Sequence, residues 1–157
     1  MNIFVLDSNH FRNASFHVDK HIVKMPLESA QLACTALHEY GVETPYKPTH
    51  RNHPCAIWSR QTQANFVWLC HYGLALCDEY TFRYGKRHKS ADVLAWCLDR
   101  QEKLPIGELT PFAQAMPEQY RQPDALLAYR AYYITAKAHL AVWSRRDTPA
   151  WYAQAVK

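Results

Sequence analysis

Apolar residues recur every three or four positions along most of the chain, which is the spacing of a buried helical face. In the first such segment, from about His10 to Tyr40, they form one predicted buried stripe: Phe16, Val23, Leu27, Ala30, Cys34 and Leu37. Pro26 lies inside this segment, and its missing backbone N–H predicts a kink or the start of a second helical piece.

Two more helices follow from the same periodicity. The first begins at Pro54 or Gln61 and ends near Tyr84, with Gly85 as its predicted C-cap. Ser90 is expected to cap a shorter helix.

Proline-containing connections separate the periodic segments. The stretch GVETPYKPTHRNHP holds three of the nine prolines, and LPIGELTPFAQAMPEQYRQP precedes a last predicted helix from Pro123 to Trp143. No convincing ladder of strands is present. The sequence therefore predicts an all-α protein, a single compact domain over residues 1–157 with three to four main helices and long Pro-containing connections.

Composition narrows the class of protein without fixing its function. The 157 residues are 48% hydrophobic with a net charge of +4, which is typical of a globular chain and compatible with nucleic acid. No apolar run approaches the ~20 residues of a membrane span, and no secretory signal is recognisable. Five cysteines without a CxxC pair indicate reduced thiols. We expect a cytoplasmic monomer without membrane association, cofactor or metal.

The stretch HVDKHIVKMPLES places His17, Lys20, His21, Lys24 and Glu28 on one face of a helix. A solvated charged stripe is the structural interpretation. The functional one is a phosphate-facing surface, since cations neutralise the DNA backbone. Lys24 could also act as an amine nucleophile, with Glu28 moving protons or stabilising positive charge on a sugar.

The stretch THRNHPCAIWSR suggests two hypotheses about its chemistry, a zinc site and a cysteine nucleophile. His50, His53 and Cys55 could ligate zinc, with His17 and His21 as further ligands, although no second cysteine or HExxH pattern supports this. A Cys55–His53 nucleophile is also conceivable.

The same stretch fits a nucleic-acid contact at a helix entrance. Arg51 and Arg60 can bind phosphates, and Asn52 can bind base edges. Thr49 or Asn52 could cap the helix, with Pro54 in its first turn. We expect residues 50–53 to face Lys24 and Glu28 of the first helix across a groove.

A basic segment follows the second helix. Asp78 and Glu79 near Arg83 suggest ion pairing within that helix, while Lys86 and Arg87 belong to a cluster of cations after it. Cations are common at helix C-termini, and they also suit phosphates. Arg83, Lys86 and Arg87 are therefore candidate DNA contacts.

The C-terminal third resembles a known family. MPEQYR and DALLAYRAYYITAKAHLAVWSRRDTPAWY resemble the end of the phage pyrimidine dimer DNA glycosylase (endonuclease V) family. FVWLCHYGLALCDEYTFRYG looks like its middle helix, and RNHPCAIWSR is similar to a His-His-Pro segment of bacterial relatives. His17, nine residues before Pro26, matches the spacing of its first helix. The resemblance covers about four fifths of the chain.

This resemblance implies an all-α fold and excision of a damaged base from double-stranded DNA. The family's nucleophile is the N-terminal α-amine, which attacks the sugar C1′ and forms an imine with help from a glutamate on the first helix. Carried over, the amine belongs to Met1, and Trp151 and Tyr152 correspond to the closing aromatic pair near the DNA.

Two departures concern the chemistry. Aligning Pro26 with the family's proline puts Lys24 at the glutamate position, and Glu28 substitutes only if the register shifts by about a turn. Asn2 favours retention of Met1, so the amine is displaced by one residue. A lysine-type glycosylase that uses Lys24 and Glu28 is therefore open, with His21 beside them.

Three other functions stay open. They are a base- or nucleotide-modifying enzyme on the same scaffold, a non-enzymatic DNA-binding protein and, least supported, a metalloenzyme.

Overall fold

The computed structural model describes residues 1–157 and confirms the all-α class, with no β-strand. Seven α-helices follow one another: α1 (His10–Phe16), α2 (Asp19–Glu39), α3 (Pro54–Gln61), α4 (Gln63–Tyr84), α5 (Ser90–Leu98), α6 (Ala125–Thr135) and α7 (Ala150–Ala155). Three short 3-10 turns lie at Gln101–Lys103, Glu118–Tyr120 and Ala138–Leu140. No helix has both the length and the apolar character needed to cross a membrane.

Helices α2 and α4 form the centre of the fold. They pack against each other, α3 and α5 pack against both, and α1 packs on α4. One large hydrophobic core contains residues from α1 to α6 and from the extended N-terminal segment, residues 3–6, which is buried.

The first predicted helix is two helices, because the chain turns at His17 and Val18. Both residues have extended backbone angles, and the His17 N–H closes α1 on the Ala14 carbonyl. The Val18 N–H donates to the Tyr133 hydroxyl from α6. Helix α2 then runs through Pro26 without ending.

Only part of the stripe predicted on α2 is buried. Val23 and Leu27 were expected in the core, but they are 48% and 41% exposed. Ile22, Met25 and Glu28 are buried instead. Ala30, Cys34 and Leu37, further along the same stripe, are fully buried as predicted. The prediction is therefore wrong only in the N-terminal half of α2, where Val23 and Leu27 line a surface groove beside the segment after α4.

Other boundaries differ in detail. Thr62 separates α3 from α4 and caps α4 by accepting from the Asn65 N–H. The cap of α3 is His53, whose Nδ1 accepts from the Cys55 N–H, so the prediction of Thr49 or Asn52 is wrong. Pro54 does occupy the first turn.

The end of α4 follows the prediction, whereas the later helices deviate. Gly85 ends α4 with φ +70°, the left-handed region that favours glycine. Ser90 is the first residue of α5 and does not cap it. The last long predicted helix ends at Thr135, well before Trp143.

Candidate active site

The N-terminal segment is held in place by hydrogen bonds to three helices and one loop. The Asn2 amide donates to the Ala115 carbonyl over 2.9 Å. The Phe4 N–H donates to the Tyr72 hydroxyl on α4, and the Leu6 N–H donates to Asn13 Oδ1 on α1. The Arg130 guanidinium of α6 donates to the Leu6 carbonyl. These bonds fix where the first residue lies.

The α-ammonium of Met1 forms an ion pair with Glu28 on α2. The nitrogen lies 2.9 Å from Glu28 Oε1, and the two side chains are only 4% and 8% exposed. The second carboxylate oxygen, Oε2, is buried and makes no hydrogen bond within the chain. Glu28 therefore holds the amine with one oxygen and keeps the other as a free acceptor.

This ion pair opens into a cavity of about 360 Å³, a volume typical of small-molecule sites. Its lining brings together all four residues that the sequence suggested for catalysis: Met1, His21, Lys24 and Glu28. Lys20 and Lys137 complete its cationic side, and neither these lysines nor Lys24 forms an ion pair. Cations outnumber the single carboxylate, so the cavity attracts anions.

His21 lies in the wall of the cavity as a neutral ring. Its imidazole stacks on Phe4 with ring centroids 4.3 Å apart, and its Nδ1 lies 2.6 Å from the Tyr133 hydroxyl. Burial lowers the pKa of His21 to about 3, with further lowering by the nearby His17 and Lys137. At neutral pH His21 therefore offers hydrogen bonds and not a positive charge.

Among residues 50–53, His53 is the residue whose pKa is influenced by the charges of this site. Burial lowers the pKa of His53, and the Met1 ammonium lowers it further while Glu28 opposes the shift. His50 and Arg51 lie elsewhere, in a surface groove with His38, and Arg51 pairs with Glu39 at 2.9 Å.

The prediction that residues 50–53 face Lys24 and Glu28 is therefore wrong for His50 and Arg51, which line a groove at the C-terminal end of α2. Arg51 is drawn instead to the carboxylate at the end of α2. Asn52 is exposed, and Arg60 donates to the Arg51 carbonyl.

The thiol and zinc alternatives lose their geometric basis. Cys55 is fully buried, and burial raises the pKa of its thiol to about 12, so it is not a thiolate at neutral pH. No three His, Cys, Asp or Glu side chains are arranged to hold a metal ion.

Three predicted DNA contacts are interior residues, so their expected exposure is wrong. His17 is fully buried, with Nδ1 against the Asn13 carbonyl and Nε2 against the Tyr72 hydroxyl. Arg83 is enclosed by carboxylates from α2 and α4. Tyr152 is 6% exposed.

Trp151 is also turned toward the protein. It is partly buried, its ring lies against Phe16 and Tyr133, and the Arg130 guanidinium lies 5.0 Å from its centre. Trp151 therefore packs against α6, the helix that supplies Tyr133.

The exposed face of α2 joins the cavity to the basic segment after α4. Lys20 and Lys24 line both the cavity and a neighbouring groove with Val23. Val23 also lines a groove with Lys86 and Arg87. Arg87 is held by a two-pronged ion pair to Asp92, whereas Lys86 is exposed and makes no ion pair.

Sequence reasoning missed Lys137 and Tyr132, the contributions of α6 and the turn after it. No local pattern connects them to α2, because the chain brings them to the cavity only through tertiary packing. No protein-family model, curated protein or solved structure matches the chain.

Proposed function

We propose that the protein acts on double-stranded DNA as a base-excision enzyme, a DNA N-glycosylase with abasic-site lyase activity. The observation that carries this is the 2.9 Å contact between the Met1 α-amine and Glu28 inside a cavity lined by lysines. An amine beside a carboxylate is the pair of groups that imine chemistry on a sugar needs.

On an abasic site the steps follow from these two groups. The Met1 ammonium gives a proton to Glu28, and the free amine adds to the C1′ aldehyde carbon. Glu28 returns the proton to the departing hydroxyl, which leaves as water, and an iminium bond remains. The carboxylate then takes the C2′ proton, the C3′–O bond breaks, and its electron pair leaves with the 3′ phosphate.

In the glycosylase step the amine displaces the base at C1′. The Met1 ammonium first gives a proton to Glu28; the C1′–N bond to the amine then forms as the glycosidic bond breaks, and the base leaves with the electron pair and takes that proton from Glu28. Enzymes of this type flip a nucleotide out of the stack so that C1′ becomes reachable.

Met1 is a better nucleophile candidate than Lys24. Glu28 contacts the Met1 nitrogen and forms no ion pair with Lys24. The alignment that put Lys24 at the glutamate position assumed that Pro26 corresponds to the family's proline. In the structure, the carboxylate beside the amine is that of Glu28.

The DNA backbone fits the exposed face of α2. Lys20, Lys24 and Lys137 surround the cavity where the reacting sugar would lie, and Lys86 extends the basic surface beyond it. Unpaired lysines favour phosphate binding because each contact releases counterions from the DNA.

Borohydride trapping on an abasic duplex tests the proposal. The unmodified protein should form a covalent adduct, and Glu28→Gln should lower its rate of formation by about a hundredfold, the scale of a lost acid–base group. Lys24→Ala is the matched control and should retain the adduct. Intact mass must show a chain that begins at Met1, and extending it by two residues should abolish trapping.

Two outcomes would contradict this assignment. Loss of the adduct in Lys24→Ala with retention in the extended chain would favour the lysine-type enzyme. No adduct with any abasic or modified duplex would remove the lyase activity.

One observation favours a second candidate, a base-modifying enzyme that leaves the glycosidic bond intact. Three lysines without carboxylate partners line the cavity, and they could bind an anionic group inside it as well as the backbone phosphates beside the reacting sugar. An anionic group on the base or on a co-substrate would use them. Mass spectrometry of nucleosides from treated DNA separates the two, since a mass shift without base release excludes excision.

A further inference from the structure

Two histidines four residues apart in the sequence are each hydrogen-bonded to a buried tyrosine, and the bonds fix their tautomers. His17 Nδ1 lies 2.7 Å from the Asn13 carbonyl, which only accepts, so Nδ1 carries the proton. Its Nε2 is then an acceptor, and it receives the Tyr72 hydroxyl proton over 2.9 Å. The Tyr72 oxygen in turn accepts from the Phe4 N–H.

The same pattern recurs at His21 with the opposite result. The Tyr133 oxygen accepts from the Val18 N–H, and its only other hydrogen-bond partner is His21 Nδ1, 2.6 Å away. Tyr133 is fully buried, so a hydroxyl proton pointing elsewhere would be unsatisfied. The hydroxyl therefore donates to Nδ1, which leaves the proton of the neutral ring on Nε2.

The Nε2 atom makes no hydrogen bond within the chain, and His21 lines the cavity beside Met1 and Glu28. We propose that Tyr133 is a positioning residue that holds His21 as its Nε2–H tautomer, so that a neutral N–H donor faces the substrate. The role rests on the proposed function: His21 donates a hydrogen bond to a substrate oxygen, on the sugar or the base, and keeps its proton. Stacking on Phe4 fixes the plane of the ring.

Nitrogen-15 NMR of the histidine rings tests the tautomers without any substrate. His17 and His21 should show opposite patterns, with the pyrrole-type nitrogen at Nδ1 of His17 and at Nε2 of His21; His21→Gln assigns the signals. Tyr133→Phe should mix the tautomers of His21. Tyr72→Phe, which removes an equivalent buried hydroxyl outside the cavity, should leave His21 unchanged. A pyrrole-type Nδ1 in His21 of the unmodified protein overturns the proposal.

Kinetics of imine trapping test the donor role. Glutamine keeps an N–H near the Nε2 position but cannot act as an acid or base, so His21→Gln should stay within about tenfold of the unmodified rate. His21→Leu should lose about a hundredfold, as when one preorganised donor is removed. Tyr133→Phe should lose about tenfold, and more than Tyr72→Phe.

Equal losses in His21→Gln and His21→Leu would show acid–base catalysis by His21 and would overturn the donor role. The glutamine comparison stands even where Tyr133→Phe folds poorly. A complete lack of trapping by the unmodified protein refutes the proposed function instead, and it leaves the NMR result intact.

Discussion

Mild acid should destabilise the fold through His17. This imidazole is fully buried and is bonded on both nitrogens as a neutral ring. Burial lowers the pKa of His17 to about 3, against about 6.5 for an unfolded histidine. Below pH 6.5 the unfolded chain therefore binds a proton at His17, whereas the folded chain does not.

The sign and size follow from proton linkage. Because the folded pKa is the lower one, the stabilisation is fully present above pH 6.5 and is lost as the pH falls from 6.5 toward 3. Between pH 7 and pH 5 the loss from His17 alone is about 2 kcal/mol, since one proton changes the free energy of unfolding by about 1.4 kcal/mol per pH unit. The size of this loss between pH 7 and pH 5 requires only that the pKa of His17 in the folded protein lies well below 5.

Urea unfolding at half-unit pH intervals between 7 and 4.5 measures the slope. His17→Gln, which keeps a donor and an acceptor, should reduce the slope near pH 5 by about 1.4 kcal/mol per pH unit, the value for one proton. Replacing the exposed His38 by glutamine is the control and should keep the unmodified slope. Equal slopes in all three proteins, or an NMR titration of His17 midway near pH 6, would refute the reasoning.

Two substitutions in the packed interior test the fold. Arg83→Met should cost about 2–3 kcal/mol in urea unfolding, within the range for hydrogen bonds to charged groups. It removes the buried guanidinium that lies 2.8 Å from Glu79 and 3.0 Å from Asp19, and leaves these carboxylates only Arg146 and Ser144. A loss below about 1 kcal/mol would contradict this. Gly73→Ala should also destabilise the fold, by about 1–2 kcal/mol. The added Cβ would lie 2.8 Å from a Leu94 methyl and 3.0 Å from Ser29 Cβ. This overlap outweighs the higher helix propensity of alanine, which is worth about 1 kcal/mol. If Gly73→Ala were instead more stable in thermal unfolding, Ser29 on α2 and Leu94 on α5 would have to move away from α4, which would contradict this prediction.

The all-α class could be predicted because helical periodicity is a local signal. Gly85 and Pro54 were also predictable, since each meets a backbone requirement of its own position. The split between α1 and α2 could not, because it depends on Val18 bonding to Tyr133, 115 residues away.

The candidate site was predicted in its residue types better than in its arrangement. Glu28 could be suspected because it is the one carboxylate on a helical face of histidines and lysines. The family resemblance suggested the Met1 amine as its partner, but no local pattern shows the contact, because Met1 reaches Glu28 only when Asn2 and Phe4 are held by distant loops and helices. His17 and Arg83 were misplaced for the opposite reason: polar residue types suggest the surface, whereas these two have their hydrogen-bond partners in the core.

The location of the trapped sugar is the measurement that bears most directly on the central claim. After borohydride reduction on an abasic duplex and nuclease digestion, tandem mass spectrometry of the peptides identifies the modified nitrogen. The Met1–Glu28 contact predicts the sugar remnant on the α-nitrogen of Met1. A remnant on the side chain of Lys24, or no covalent remnant on any peptide, would contradict it.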